Sequence, residues 1–472
     1  VDAAPSGIAR WTRRELLGLA AATVAGACFQ RSAATPDSPN VIFISIDDLN
    51  DWIPMLGGYA GTVHAPHLAR LAARGTVFTN AHSQSVSCMA SRASAMTGMW
   101  PETTGIVGVE RTHDFRKWAP DAITIPAAFR AAGYEAIGLG KVFHHPDPIS
   151  WDRSVHSWPD PEPARSPLSG VRFPYYFDWG PLDLPVHFMG DHRMVSAALE
   201  VLRKRSEREK PLFLGIGIVK PHPPWIVPRE FFELYPLDEI VVPSIPEDDL
   251  EDVPAVAASE VFGLGYQEQL ERHGAERQAI QAFLATLSYV DSLLGMIVDE
   301  LDRGGAWERS VVVLWSDHGL HLGEKRRWHK FTLWEESTRV PLVVCAPGVG
   351  PGSRCARAVG LIDLFPTLVE ICGIPRPLSL EGESLVPLLV DPTSPRQRPA
   401  MTTWRQNRAV RSDRWRYIRY VDGSEELYDH DADPREWVNL AGDPRFATVK
   451  ADLGSWLDGD RARSSMEPGA GG

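Results

Sequence analysis

Unbroken apolar runs alternate along this chain with stretches in which apolar side chains return every three or four positions. VIFIS (Val41–Ser45), AIGLG (Ala136–Gly140), PLFLGIGIV (Pro211–Val219), VVVLWS (Val311–Ser316) and PLVVCA (Pro341–Ala346) are the runs. Their continuity predicts strands covered on both faces, as in a parallel sheet. The helical period holds over His67–Gly75, Met194–Arg205 and Gln278–Arg303. Strand and helix in alternation predict an α/β core with helices on both faces of the sheet. Beyond Ile374 the pattern changes. AMTTW, RAVRS, WRYIRY and EELYD fall between Ala400 and Asp429 and predict a small antiparallel sheet, with a helix following near Pro444–Leu457. The expected divisions are a large domain over 40–385, a C-terminal subdomain over 386–462 and a disordered tail over 463–472.

Two intervals break the alternation. His145–Pro185 is rich in Pro, Trp and Asp, and Val241–Pro254 is acidic and Pro-rich. Irregular stretches of that length usually serve a site, and the first is expected to wall its mouth. The N-terminal end reads as a targeting segment over 1–28. WTRRELLGLAAATVAGAC combines a basic region, a short apolar stretch and small residues before Cys28. Arg13-Arg14 resembles a twin-arginine export signal, and Ala25–Cys28 a lipoprotein cleavage box with Cys28 as the lipidated residue. Residues 29–39 read as a linker. The expectation is export to the periplasm or outside, with membrane contact only through a lipid at Cys28.

Composition narrows the classes. The 472 residues are 44% hydrophobic and 23% charged, an ordinary globular balance, and the formal net charge of -13 argues against a nucleic-acid partner. Five cysteines are too few for a disulfide framework. With Cys28 and Cys88 set aside, Cys345, Cys355 and Cys372 allow one bridge, for instance Cys345–Cys355, or stay as buried thiols.

Four of the apolar runs end in residues with chemical ability. VIFISI leads into Asp47-Asp48, AIGLG into Lys141 and His144, the third run into Lys220 and His222, and VVVLWS into Asp317-His318. Ligands of open α/β sheets bind beyond the carboxyl ends of the strands, so these groups are expected to face one crevice. Adjacent carboxylates repel and call for a neutralising partner. An Asx turn would explain Asp47-Asp48 alone. Combined with Asp317, the pair suits a hard cation with oxygen ligands, Ca²⁺ or Mg²⁺, with His318 as a further ligand or hydrogen-bond donor. Arg92, Lys141 and Lys330 then form an excess of cations, which fits an anionic substrate whose oxygens they would neutralise. His144 and His222 suit proton transfer. Cys88 stands where a run of helix-forming small residues begins, a place that favours an anion and, on one reading, a nucleophilic thiolate.

The string Cys88-Met89-Ala90-Ser91-Arg92 resembles the C-x-[PA]-S-R signature of the formylglycine-dependent sulfatases, and Thr97-Gly98 their auxiliary T-G. I-S-I-D-D-L at Ile44–Leu49, G-K-V-F-H at Gly140–His144, K-P-H-P-P at Lys220–Pro224 and S-D-H-G with Lys330 downstream follow in family order. The K-V-F-H and K-P-H elements, with R-A-V-R…W-R-Y-I-R-Y…E-L-Y-D at Arg408–Asp429, look most like the iduronate-2-sulfatase branch. Met96 and Met99 stand where the family often has Leu and Arg.

The resemblance implies a large mixed, mostly parallel sheet sandwiched by helices, as in alkaline phosphatase and the sulfatases, plus a small antiparallel subdomain. It implies that a formylglycine-generating enzyme oxidises Cys88 to 3-oxoalanine. The hydrated aldehyde would sit on a divalent cation held by Asp47, Asp48, Asp317 and His318, with Arg92 orienting it. Lys141 and Lys330 would neutralise the sulfate oxygens, His222 with Lys330 would protonate the leaving oxygen, and His144 would take the last proton. The implied substrate is a sulfate ester on a carbohydrate, such as a 2-O-sulfated uronic acid, with Trp225, Trp328 and Trp334 able to stack on sugar faces or to pack in the core. A phosphodiesterase or phosphonate monoester hydrolase, or an inactive carbohydrate-binding relative, are the alternatives.

Overall fold

The computed structural model describes residues 38–108, 114–161, 167–173, 177–205, 208–262, 265–303 and 305–459. The expected export signal with Cys28, nearly all of the linker and the C-terminal tail lie outside the described residues.

Eight strands form the main sheet: β1 (Asn40–Asp47), β2 (Thr76–Phe78), β3 (Glu135–Gly140), β4 (Arg153–Val155), β5 (Leu212–Pro221), β6 (Ser310–Ser316), β7 (Leu342–Cys345) and β8 (Ser353–Cys355). Their order is β8-β2-β7-β6-β1-β5-β3-β4. The middle of the sheet is parallel, with Ile44 opposite Ile216 on one side and Leu314 on the other. The strand β7 runs antiparallel to both β6 and β2, so the sheet is mixed.

Alternation along the central strands divides the core into two layers. Ile42, Ile44 and Ile46 of β1, with Leu214, Ile216 and Leu314, meet α1 (Pro66–Ala72), α3 (Gly190–Arg203) and α4 (Glu276–Arg303). Val41 and Phe43, with Phe213, Val313 and Trp315, face α2 (Cys88–Thr97) and α5 (Leu364–Cys372). Each strand is covered twice, which is why its sequence reads as a continuous apolar run.

The second sheet is antiparallel: β9 (Ala400–Trp404), β10 (Asn407–Arg411), β11 (Trp415–Arg419) and β12 (Glu425–Asp429), with α6 (Ala447–Leu457) against it. A buried ionic cluster binds this sheet to the segment following Lys330. Arg416 donates to Glu436 Oε1 at 2.5 Å, to the Leu333 carbonyl at 2.9 Å and to Glu335. Arg411 donates to Glu335 Oε2 at 3.1 Å. Such a cluster holds geometry, because removing one member strands the others in a low-dielectric interior.

Two open alternatives resolve here. Trp225, Trp328 and Trp334 are at most 2% exposed and spend their indole N–H groups on Pro221 O, Gln267 and Glu426, so they pack the core and present no face to a sugar. Cys345 and Cys355 do not pair. They sit on β7 and β8, which β2 separates, and with Cys372 they are buried free thiols. The stretch 145–185 divides its work: β4 closes one edge of the sheet, while Phe173, Phe177 and Trp179 pack into the core.

Candidate active site

The strands β6, β1, β5 and β3 are neighbours and run parallel, so their carboxyl ends emerge side by side. At these ends the register between β1 and β5 breaks after Ile46, Asp47 comes opposite Pro221, and Asp48 adopts φ 61°. The break turns the two carboxylates out of the ladder. Gly217 brings β3 close: a Cβ there would collide with the Lys141 backbone. Cys88 begins α2, whose ten residues are all buried and which ends on Gly98 in the left-handed conformation.

The residues expected to share one crevice do so except Lys220, whose ammonium turns to the Pro224 carbonyl at 2.5 Å and to Asp160 at 3.5 Å. Asp47, Cys88, Asp317 and His318 each offer a ligand atom, all within 4.8 Å of one another, and Asp47, Asp48, Cys88 and His222 do the same. Lys330 Nζ lies 2.6 Å from Asp48 Oδ1 and 2.9 Å from Cys88 Sγ. His318 Nε2 is 3.2 Å from the same sulfur, and its Nδ1 is 3.0 Å from the Gly319 carbonyl. That second contact makes Nδ1 the donor and aims Nε2 at the carboxylates. His222 is built alike, with Nδ1 2.7 Å from Pro223 O. Lys141 pairs with Asp47. His144 joins the electrostatic environment of Lys141, Asp47 and Arg92, and its buried Nδ1 has no partner.

Arg92 joins the same group of charges, beside Asp317, Asp47 and Cys88. It is fully buried, and its guanidinium bonds Asp317 Oδ2 at 2.9 Å, Asp47 Oδ1 at 3.2 Å, Ser45 Oγ at 3.2 Å, Val142 O at 3.1 Å and Lys141 O. A guanidinium committed to that many acceptors ties three strand ends together from beneath.

The electrostatics follow from burial among charges. Burial alone would raise the Cys88 thiol, but Lys330, then Lys141 and His318, bring it down to about 6. Burial pushes Asp317 up to about 7 even though Arg92 opposes it. His318 is lowered by burial and raised more by Asp317, to about 9. Asp47 and Asp48 stay below the usual carboxylate range, since Lys141 with Arg92 and Lys330, respectively, outweigh burial. Burial and Lys141 push His144 down to about 3, and burial lowers His222 against Asp48 and Asp47.

This donor set fits a divalent cation of the hard type. Asp47, Asp317 and His318 gather with Cys88 in one donor group, and Asp47, Asp48 and His222 with Cys88 in another, so carboxylate oxygens surround residue 88.

Comparison with known proteins gives the family. The Sulfatase family model matches residues 39–374, and that for the C-terminal region of N-sulphoglucosamine sulphohydrolase matches 323–463. A sulfatase of Formosa agariphila is 35% identical over 430 residues, covering 87% of this chain and 84% of that protein. The chain belongs to the sulfatase family. It is a sulfuric ester hydrolase. Human iduronate 2-sulfatase is 30% identical to this sulfatase over 76% of its chain and 74% of the human one. A choline-sulfatase of Rhizobium meliloti is 29% identical over 92% and 88%. Among solved structures, a 2-O GAG sulfatase superposes with TM-score 0.71 at 22% identity, covering 91% of this chain and 93% of that one. The phosphonate monoester hydrolase of Silicibacter pomeroyi gives 0.74 at 22%, covering 90% and 95%. Both likenesses bear on the fold alone.

Two serines of the quoted motifs shape the sulfatase site, as does one residue that carried no signal in the sequence. Ser91 Oγ donates to the Asp317 carbonyl at 2.5 Å, and Ser316 Oγ accepts from Leu49 N at 3.0 Å. Asp191, at the start of α3, accepts from the backbone N–H of Val219 and Lys220 and fixes the turn that carries His222. Nothing local to Asp191 marks it. His329 and His156 also enter the charge environment of Lys330 and Lys141.

Proposed function

We propose that this sulfatase removes a sulfate group from a carbohydrate, with Cys88 oxidised to formylglycine and Ca²⁺ or Mg²⁺ held by Asp47, Asp48, Asp317 and His318. The convergence of those four ligands and of Lys330 on the Cys88 side chain carries the reading. A hard oxygen-ligand site with two lysines suits a tetrahedral oxyanion better than it suits soft thiolate chemistry.

The cation would lower the pKa of a hydroxyl on residue 88 and share the sulfate charge. Hydrated formylglycine would supply that hydroxyl and a second one, whose proton must later leave. The chain's own residues perform the remaining tasks. Lys330, kept protonated by Asp48 against burial, donates to a sulfate oxygen, and Lys141 does so from the more open side. Arg92 keeps the carboxylates in position. His222 Nε2 faces the crevice, and the negative charge of an arriving sulfate ester offsets the burial that keeps the ring neutral, favouring the protonated form that donates to the leaving oxygen. His144, neutral and with an unpartnered Nδ1, accepts the last proton.

Likeness to iduronate 2-sulfatase supports a 2-O-sulfated uronic acid as substrate. Likeness to a choline-sulfatase gives the screen its main non-sugar competitor. Export through the N-terminal segment, lipidation at Cys28 and maturation by a formylglycine-generating enzyme complete the proposal. The phosphonate monoester hydrolase superposition keeps one second reading, phosphoryl ester hydrolysis on the same scaffold. Turnover of an aryl sulfate set against an aryl phosphodiester separates the two, and a panel of sulfated oligosaccharides with choline sulfate then identifies the substrate. Faster phosphodiester cleavage would overturn the sulfatase reading for the natural reaction.

A further inference from the structure

The row of strand ends that builds the crevice does not stop at β3. β4 is its parallel neighbour, with Leu139 opposite Val155. His156 follows β4 directly, so it comes level with Gly140, and Lys141 is next in line. Neighbouring strands lie about 4.8 Å apart, which sets His156 one strand spacing out from β3. β4 is also the edge of the sheet and Arg153–Val155 are exposed, so no further strand closes the crevice on this side.

The groups gathered here are of one sign. The rings of His144 and His145 meet edge to face at 4.5 Å, and Lys141, His144, His145 and His156 are all partly exposed. Burial, then Lys141, His145, Arg92 and His144, push His156 down to about 4, so its strongest charged neighbours are all basic. The acids of the same segment are engaged elsewhere. Asp147 accepts from Arg116 Nε at 3.1 Å and Nη2 at 2.8 Å. Asp152 accepts from the Ala136 N–H at 2.9 Å, near the opposite end of β3, and Asp160 from the Gly190 N–H at 2.8 Å. Asp47, which pairs with Lys141, is shared with Arg92.

A cleft lined by one sign of charge draws the opposite sign into it. Lys330 and Lys141 already account for the sulfate group beside residue 88. His156 stands one strand farther toward the open edge, where another substituent of the substrate would lie. An anion arriving there offsets the burial and the neighbouring cations, favouring a protonated ring that donates to it.

We propose that His156, with Lys141 beside it, forms a subsite for a second anionic group on the sulfated carbohydrate. A uronic carboxylate and a further sulfate share that chemistry. The inference rests on the sulfated-carbohydrate reading of the site and makes His156 a residue of substrate selection, with no part in the step at residue 88.

Competition against aryl sulfate turnover tests this with three disaccharides: one carrying a 2-O-sulfated uronic acid, its carboxyl-reduced form, and that reduced form with a second sulfate. A form with a second anion competes at least about tenfold more strongly than the reduced monosulfate, the gain of one charge-assisted contact. The carboxylate form leading assigns the subsite to a uronic acid, and the doubly sulfated form leading assigns it to a further sulfate. His156→Ala, at a partly exposed position, abolishes the advantage while kcat and KM for the aryl sulfate stay within about twofold, and His156→Lys restores it. Equal competition by all three, an advantage that survives His156→Ala, or a loss of aryl sulfate kcat in that variant would overturn the proposal. Turnover of an aryl phosphodiester without any of an aryl sulfate would fail the sulfatase reading instead, and the same competition run on that activity still reads His156.

Discussion

Lys330→Met isolates the charge that matters most at residue 88. Its ammonium lies 2.9 Å from Cys88 Sγ and is the first group among those lowering the thiol, which burial alone would raise. With Lys330 in place the thiol titrates at about 6. Without it, burial and the Asp47 carboxylate dominate, and the midpoint moves above the ordinary value of about 8.5. The shift is at least roughly two pH units. The assay is the pH profile of alkylation by iodoacetamide, on protein made without the maturation enzyme and kept in chelator so that residue 88 stays a thiol. The midpoint is the quantity to read, because a more basic thiolate is also intrinsically more reactive and blurs rates compared at one pH. Lys330→Arg keeps the charge and holds the midpoint near the wild-type one. An unchanged profile in Lys330→Met would refute the electrostatic account of the site.

Asp317→Asn removes the carboxylate on which Arg92, the Asp48 N–H and the His318 N–H converge; turnover falls by at least about a hundredfold, and the rise in Tm on adding Ca²⁺ or Mg²⁺ disappears in differential scanning fluorimetry. Gly98→Ala places a side chain at φ 67° with its Cβ 2.5 Å from Leu380 Cδ2, so urea unfolding shows a loss of about 2–4 kcal/mol. Glu335 is held well below its ordinary value because Arg411, His430 and Arg416 outweigh burial. Its folded form binds a proton less readily than its unfolded form, so its contribution is complete above about pH 4.5 and is lost as the pH falls further. Thermal scans of Glu335→Gln therefore show a lower Tm at pH 7, by an amount equivalent to about 3–5 kcal/mol, and a shallower decline below pH 4.5 than the wild type.

What could be read from the sequence was whatever is local and periodic. β1, β3, β5, β6 and β7 fall on the apolar runs to within a residue or two, because burial on both faces leaves no polar position to interrupt them. The strand-end chemistry was legible for the same reason: a polar group directly after such a run must emerge at the sheet's edge. Short edge strands such as Thr76–Phe78 and Arg153–Val155 were not, since three residues cannot display a period. The antiparallel course of β7 left no mark either, for a covered strand reads alike in both directions. Long-range polar packing was hidden most deeply. Arg416 sits in WRYIRY as an alternating polar residue of a surface strand, yet it is buried because Glu335 and Glu436 meet it there. The tryptophans near Lys330 and His222 stayed ambiguous for the converse reason, since an indole beside a reactive residue looks the same whether it faces a sugar or the core.

The central claim is that residue 88 works as an aldehyde derived from cysteine, within a site built for a sulfate ester. Mass spectrometry of the peptide spanning Ser85–Gly98, taken from protein active on an aryl sulfate, tests it most directly. The expected result is the mass of the aldehyde or its hydrate at residue 88 in the active protein. An unmodified Cys88 thiol in protein turning over at full rate would contradict it.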